Sequence, residues 1–335
     1  MEDFRRLLKT RFKKFRRNAE ANERRGPSSA SDAEDTDELP DDLTRSLKGF
    51  NLEVVRDALR YQARPGDVFV ATYPKTGTTW TQYIVWMLLN LDKGLPSFKD
   101  IMTRLVVFLE LAGRKAVEEL AEPRIIKHHL PFSLAPYHPQ ARNVVIVRNP
   151  FDCLVSFYHH SAADPHMGMQ PGATFDEFFE EFLAGRVPFG SYFDNVLSWY
   201  ARRNDPNVFF FYYETLKERP ASVVLEIAEF LDPAIAERLR HNEATLRFIV
   251  DKTSFKSLKD SAEGASGGSG ESVTNGRPSR EEDIFENLAK KFFRKGEVGD
   301  FKGHLRPEQQ RRLRQVCEER LKGTDMLRVW KKWLE

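Results

Sequence analysis

The sequence predicts an α/β fold in which one central, mostly parallel sheet is flanked by helices. From position 52 onward, short apolar runs alternate with longer amphipathic ones, as strands alternate with helices around a parallel sheet. Over 67–91 an apolar strand, a turn holding proline and glycine, and an apolar helix follow one another without a gap. The content of 41% hydrophobic and 12% aromatic residues, with 26 Phe, excludes disorder throughout.

At 335 residues the chain has room for one large domain plus a tail. Residues 1–48 read as that tail. Phe4, Leu7, Leu8, Phe12 and Phe15 stand there among Arg5, Arg6, Lys9, Arg11, Lys13, Lys14, Arg16 and Arg17, which suits a basic amphipathic helix or a solvated segment. The Ser-, Pro- and acid-rich stretch 26–42 favours the solvated segment. Residues 49–335 read as a single domain. Its strands fall at 68–72, 124–127, 144–147 and 208–213, and its helices at 78–91, 152–160, 175–183, 192–202 and 221–231. A Gly-, Ser- and charge-rich stretch at about 259–283 cannot bury enough surface to order itself and reads as a flexible loop.

Lys plus Arg total 52 against 50 Asp plus Glu, so a formal charge of +2 selects neither nucleic acid nor an anionic membrane as a specific partner. The longest mostly apolar stretch, 83–91, is far short of the roughly 20 residues of a membrane span, and no apolar signal segment opens the chain. Cys153 and Cys317 lie far apart and match no metal spacing, which points to a reducing, cytoplasmic setting.

Four segments carry the chemistry. In the first, strand 67–72 runs into Tyr73, Pro74, Lys75, Thr76, Gly77, Thr78, Thr79 and Trp80 at the mouth of a helix. Pro74 and Gly77 shape the turn, while the threonines offer hydroxyls and backbone N–H groups where the helix dipole is positive, a place for an anion. The common phosphate-loop spacing is absent, because Lys75 precedes the glycine. In the second, strand 144–147 delivers Arg148 to the carboxyl edge of the sheet, with Ser156 on the helix that follows. In the third, Phe292 is followed by Arg294, Lys295 and Gly296, two cations before a glycine that permits close backbone approach, or else a charged surface turn. In the fourth, strand 124–127 ends in Lys127, His128 and His129, with Pro131 stopping further pairing.

In this order and spacing the segments resemble the cytosolic sulfotransferase family over roughly 52–333. The resemblance implies a P-loop-NTPase-like sulfotransferase fold, 3′-phosphoadenosine 5′-phosphosulfate (PAPS) as sulfuryl donor, PAP as product, and no metal. It assigns Lys75, Thr76, Gly77, Thr78 and Thr79 to the 5′-phosphosulfate, and Arg148, Ser156, Arg294, Lys295 and Gly296 to the 3′-phosphate. By the same resemblance Trp80 and Phe255 sandwich the adenine, Tyr213 and Thr253 meet its edge, Ser254 and Leu258 belong to the same binding stretch, and Phe292 lines the pocket. Ser156 is implied to meet Lys75 when no acceptor is bound. The chain departs from the family at Thr76 for Ser, Thr215 for an acidic residue, Leu258 for Met and Phe301 for Trp.

The resemblance makes Lys127 and His129 catalytic and puts His128 in a variable slot, where a hydrogen bond across the pair would shift either pKa. A neutral His near pH 7 suits removal of a proton from an attacking hydroxyl or amine, and Lys75 and Lys127 suit charge growing on the departing oxygen. Ser156 completes the catalytic set. His160 falls where the family often lines its acceptor pocket with an aromatic. The acceptor itself, a small molecule, is not legible, and the segments 164–174 and 261–282 are candidate gates. Monomer and homodimer stay open, since no family dimerisation motif follows Lys302. Two other readings compete. One is a catalytically silent nucleotide-binding regulatory protein of the same fold. The other is a nucleotide kinase, against which stand the missing acid-rich metal site and the extra cations.

Overall fold

A computed structural model of the chain describes residues 44, 47, 49–163, 167, 169, 172–263 and 292–334. The basic and acidic tail therefore lies almost wholly outside the described residues, as do most of the expected flexible loop and parts of both candidate gates. Residues 259–263, assigned to that loop from sequence, are helical.

Five strands form one sheet: β1 (Val68–Thr72), β2 (Val107–Phe108), β3 (Ile125–His128), β4 (Arg142–Val147) and β5 (Val208–Tyr212). Their order is β2-β3-β1-β4-β5 and every pair is parallel. The helices of six residues or more among the described residues are α1 (Leu52–Leu59), α2 (Thr78–Leu89), α3 (Pro150–Ala163), α4 (Phe175–Leu183), α5 (Tyr192–Tyr200), α6 (Tyr213–Glu218), α7 (Pro220–Leu231), α8 (Pro233–His241), α9 (Glu243–Thr253), α10 (Phe255–Glu263), α11 (Pro307–Arg320) and α12 (Met326–Leu334).

The side-chain period of two divides each central strand between two cores. Val68, Val70, Val144, Ile146 and Phe211 face the side covered by α2 and α7 to α10. Phe69 and Ile126 face a smaller core under α1, while Val147 packs with α3 to α5, α11 and α12. All five residues of β1 are buried, as expected of the middle strand of a doubly covered sheet.

Strand β2 was not anticipated, and Tyr213, expected to end a strand, instead opens α6. The remaining expected strands and helices are present with ends shifted by a few residues. The register sets Ala71 beside His128 and Thr72 beside Ile146, so the segments leaving β1, β3 and β4 emerge together at the carboxyl edge of the sheet.

Candidate active site

The turn after β1 is built from tight backbone. Tyr73 is buried and its hydroxyl donates to the Gly190 carbonyl at 2.9 Å. Lys75 holds a positive φ of 68°, a conformation that costs a side-chain-bearing residue on the order of 1 kcal/mol. Gly77 has φ 118°, and a Cβ there would come within 2.9 Å of both Ile146 and Tyr213, so glycine is required twice over. Thr76 turns inward, its hydroxyl donating to the Tyr73 carbonyl at 2.8 Å. No side chain caps α2 at Gly77, and the Thr79 hydroxyl is buried without a partner among the described residues. Unpaired buried polar groups are costly, and these are aimed at the site rather than at the core.

Beside this turn stands His129, almost fully buried, its ring edge-on to Phe108 and Phe189 at centroid distances of 5.1 and 4.8 Å. Its Nδ1 lies 2.8 Å from the Thr72 carbonyl oxygen, which can only accept, so Nδ1 carries the proton and Nε2 is left with a lone pair. The Thr72 hydroxyl, 3.0 Å from Nδ1 and 2.8 Å from the Thr78 hydroxyl, links the imidazole to the first residue of α2. The backbone is fixed as well. The His129 N–H donates to Glu110 Oε1 at 2.6 Å, and Asn195 Nδ2 donates to its carbonyl at 2.9 Å.

Burial, reinforced by the Lys127 charge, holds the His129 pKa well below the ordinary imidazole value, so the ring is neutral at physiological pH. No hydrogen bond joins His129 to His128. Instead His128 Nδ1 accepts from the Leu130 N–H at 3.3 Å, and burial alone pushes its pKa down to about 3.

The lysines are tuned the same way. Burial, with the Arg148 and Lys127 charges behind it, pushes Lys75 down to about 7. Burial pushes Lys127 down to about 8 against the opposing charge of Glu110, itself raised to about 7 by burial. Lys127 Nζ sits 3.8 Å over the Phe108 ring and Lys75 Nζ 4.5 Å over Phe292, apolar faces that accept a cation without neutralising it. Lys75 makes no hydrogen bond to Ser156 here.

The other end of the cavity gathers Arg148, Tyr213, Phe255, Leu258, Arg294, Lys295 and Gly296. The Arg148 guanidinium lies 4.5 Å over the Tyr213 ring and donates to the Glu297 carbonyl at 2.7 Å, while its Nε is buried and unpaired among the described residues. The Tyr213 hydroxyl donates to the Gly296 carbonyl at 3.1 Å. Gly296 has φ 67°, and a Cβ there would come within 2.2 Å of the Phe255 ring, so this glycine is what lets the two segments touch. Arg294 pairs with Asp300, as does Lys295 at 2.6 Å. Asp152 accepts from the Gly299 and Phe301 N–H groups at 2.8 and 3.1 Å, pinning this segment to α3.

One cavity is thus lined by Lys75, Gly77, Thr78, Thr79, Trp80, Lys127, His129, Arg148, Ser156, Tyr213, Phe255, Leu258, Phe292, Arg294, Lys295 and Gly296. Three residues expected to line it do not. Thr76 faces its own turn, the Thr253 hydroxyl donates back to the Ile249 carbonyl at 2.8 Å, and Ser254 opens onto a different surface hollow. Sequence reasoning also missed Thr72, Glu110 and Asp152, which hold the lining residues rather than line the cavity. Each is a polar residue inside an apolar run, a weak signal in a single sequence.

A parallel sheet with an anion-ready turn, buried cations and a neutral imidazole at its carboxyl edge defines a nucleotide-dependent group-transfer site. The sulfotransferase domain matches residues 65–325, and the chain belongs to the sulfotransferase family. Sulfotransferase 1B1 of Mus musculus is 33% identical over 278 residues, covering 79% of this chain and 86% of that protein. Amine sulfotransferase of Oryctolagus cuniculus is 33% identical over 297 residues, covering 85% and 93%. Among solved structures, mouse sulfotransferase SULT7A1 complexed with PAP superposes with a TM-score of 0.65 at 27% identity, covering 85% of this chain and 94% of that one. Among the described residues, no helix is long and apolar enough to cross a membrane.

Proposed function

We propose that this chain transfers a sulfuryl group from PAPS to a hydroxyl or amine of a small-molecule acceptor in the cytoplasm, with His129 as general base. The observation that carries the reading is the fixed tautomer. With Nδ1–H held by the Thr72 carbonyl, His129 Nε2 is a neutral proton acceptor in the same cavity as two cations.

The residues present fit the donor. Unpaired buried atoms of Thr79 and Arg148 await acceptor oxygens, and Gly77 and Gly296 bring backbone close where a Cβ would block it. Lys75, Thr78 and Thr79 hold the 5′ end, with the expected Thr76 and Gly77 shaping the turn beneath. Arg148, Ser156, Arg294, Lys295 and Gly296 hold the 3′-phosphate, Trp80 and Phe255 flank the adenine, and Tyr213, Leu258 and Phe292 close the wall. Thr253 and Ser254 support that wall from outside the cavity. PAPS supplies the sulfuryl group for an in-line displacement and departs as PAP. His129 Nε2 takes the proton of the attacking group while Lys75 and Lys127 stabilise charge on the departing oxygen, work that positioned donors do best in a dry site.

Radiolabelled sulfuryl transfer screened across phenols, alcohols, amines and steroids tests the activity. A titration with PAP tests the site, and Arg148→Ala and Lys295→Ala should each weaken binding. PAP binding with no label reaching any acceptor would leave only a nucleotide-binding regulatory protein.

A further inference from the structure

Gln82 of α2 lies on the wall of the catalytic cavity and takes no part in the anion cradle or the proton transfer. It is 1% exposed, and its Oε1 is buried with no hydrogen-bond partner among the described residues. The other polar side chains at this end of the helix are accounted for. Thr78 shares a hydrogen bond with Thr72, Thr81 donates to the Gly77 carbonyl at 3.2 Å, and Thr79 stands in the anion cradle. Gln82 is one helical turn, about 6 Å, beyond Thr78. Side chains on a helix lean back over the turn before them, so Gln82 leans toward the Thr78–Thr79 turn and the reacting end of the cavity. On the same side of the sheet the segment Ile101–Leu105 joins the core that α2 helps form, and its Met102, with Val106 and Leu258, lines the same cavity. The amide therefore stands at the border between the anion cradle and an apolar chamber.

The anionic oxygens of a sulfuryl donor have two lysines, the uncapped N–H groups of α2 and the Thr79 hydroxyl to meet, whereas methionine, valine and leucine offer an amide nothing. An amide unpaired beside an apolar chamber is a penalty that an occupant with a matching polar group relieves and an apolar occupant does not. Because an amide both gives and accepts, a hydroxyl or another amide matches it in either orientation. An ammonium group does not suit the place, since Lys75 and Lys127 share the cavity. We propose that Gln82 is a specificity-determining residue that hydrogen-bonds a second, uncharged polar group of the acceptor, so that the chamber takes hydroxyl- or amide-bearing molecules that an all-apolar wall would reject. The proposal rests on the sulfuryl-transfer reading of this cavity for which group of the acceptor reacts.

The test pairs the ortho, meta and para hydroxymethylphenols with the matching ethylphenols, each pair differing in a terminal hydroxyl against a methyl. All are titrated into the full-length, PAP-loaded protein and supplied as acceptors with PAPS. The readout is the ratio of the two affinities at each ring position, compared between wild type and Gln82→Met. At the position that reaches the amide, the variant loses the bond and buries the hydroxyl unpaired, so the ratio should fall at least about 5-fold, with a matching fall in the ratio of kcat/KM. PAP itself should bind both proteins alike. Gln82→Met replaces an unpaired polar group by an apolar one of similar shape and should unfold no more easily than the wild type. Ratios unchanged at all three positions overturn the proposal. So does a loss of PAP affinity of about tenfold, which would give Gln82 to the nucleotide, or a marked loss of stability, which would reveal a structural partner. Because the binding ratio is read without turnover, absence of transfer to any of the compounds would sink the sulfuryl-transfer reading while leaving the role of Gln82 decided by the titration.

Discussion

At the scale of single residues the site works by denying charge to some groups and holding charge on others. His129 is neutral because it is buried beside Lys127, and its donor nitrogen is occupied by Thr72. Removing it should abolish proton acceptance without touching the anion cradle. His129→Ala is expected to slow single-turnover transfer about 100- to 10,000-fold while the PAP dissociation constant moves by less than about twofold. Full activity in that variant would mean another group takes the proton. Lys75 and Lys127 titrate near 7 and 8 because they are buried, and a bound anion raises both values. Binding therefore takes up protons above those values. PAP should bind tightest below pH 7 and progressively more weakly as pH rises through 7 to 8 and beyond, a trend that isothermal titration in buffers of different ionisation enthalpy would report as proton uptake. His128 acts on stability instead. Its folded value of about 3 lies below the unfolded value of about 6.5, so between these limits the unfolded chain holds a proton that the folded chain refuses. Stability should fall with pH through that window by up to about 1.4 kcal/mol per pH unit from this residue. His128→Asn, which keeps an acceptor for the Leu130 N–H, should lessen the slope of urea-unfolding stability between pH 6 and pH 4 by that one residue's share, the buried His129 supplying a slope of the same sign in both proteins.

At the scale of elements, what matters is which backbone segments can touch. The close approach of Gly296 to the Phe255 ring joins the Arg294–Gly296 turn to the start of α10. Gly296→Ala forces a Cβ into a ring and an L residue into a positive φ, so it should weaken PAP binding at least about tenfold with the sheet intact by circular dichroism. Binding equal to wild type would show that the two segments need not meet. The strands β1 and β4 were legible because their apolar runs end in the site residues, β3 because Ile125 and Ile126 lead straight into Lys127 and His129 with Pro131 just beyond, and the turn after β1 was legible because proline, glycine and threonines have few other uses in that order. Strand β2 was not, because two residues show no period, and Val107 and Phe108 read equally well as the end of the preceding apolar stretch. Helix α9 was hidden by its mixed composition, and with it the reason Thr253 misses the cavity, since its hydroxyl is spent on the preceding turn of that helix. The hydroxyls of Thr76 and Thr79 look interchangeable in sequence, and only the path of the turn sends one inward and leaves the other free.

At the scale of the molecule, the nucleotide end is closed by contacts between distant parts of the chain. Arg148 meets Glu297 across 149 positions, Asp152 meets Gly299 across 147, and Tyr213 meets Gly296 across 83. Behind them Glu214 accepts from the Asn149 N–H and, through its other oxygen, from Trp330 Nε1 on α12 at 3.0 Å, so the C-terminal helix braces the loop that carries Arg148. A site assembled this way exists only in the folded chain, and its ligand should stabilise the whole by about 2.7 kcal/mol at one hundred times the dissociation constant. Asp152 is the joint to test, because its carboxylate receives both amides of the closing segment. Asp152→Asn preserves shape but, because the two amides bond different carboxylate oxygens, it turns an NH2 toward one of them and removes charge from the bond to the other, bonds worth roughly 1.5 to 3 kcal/mol when charged. A tenfold or greater loss of PAP affinity follows, and at the same PAP concentration the stabilisation should drop to about 1.4 kcal/mol or less, read as a smaller rise in melting temperature. His129→Ala, altered at the opposite end of the cavity, should keep the full wild-type rise. Equal rises in wild type and Asp152→Asn would mean that the segment closes on the nucleotide without its tether to α3, and that Arg294 and Lys295 reach the phosphate unaided.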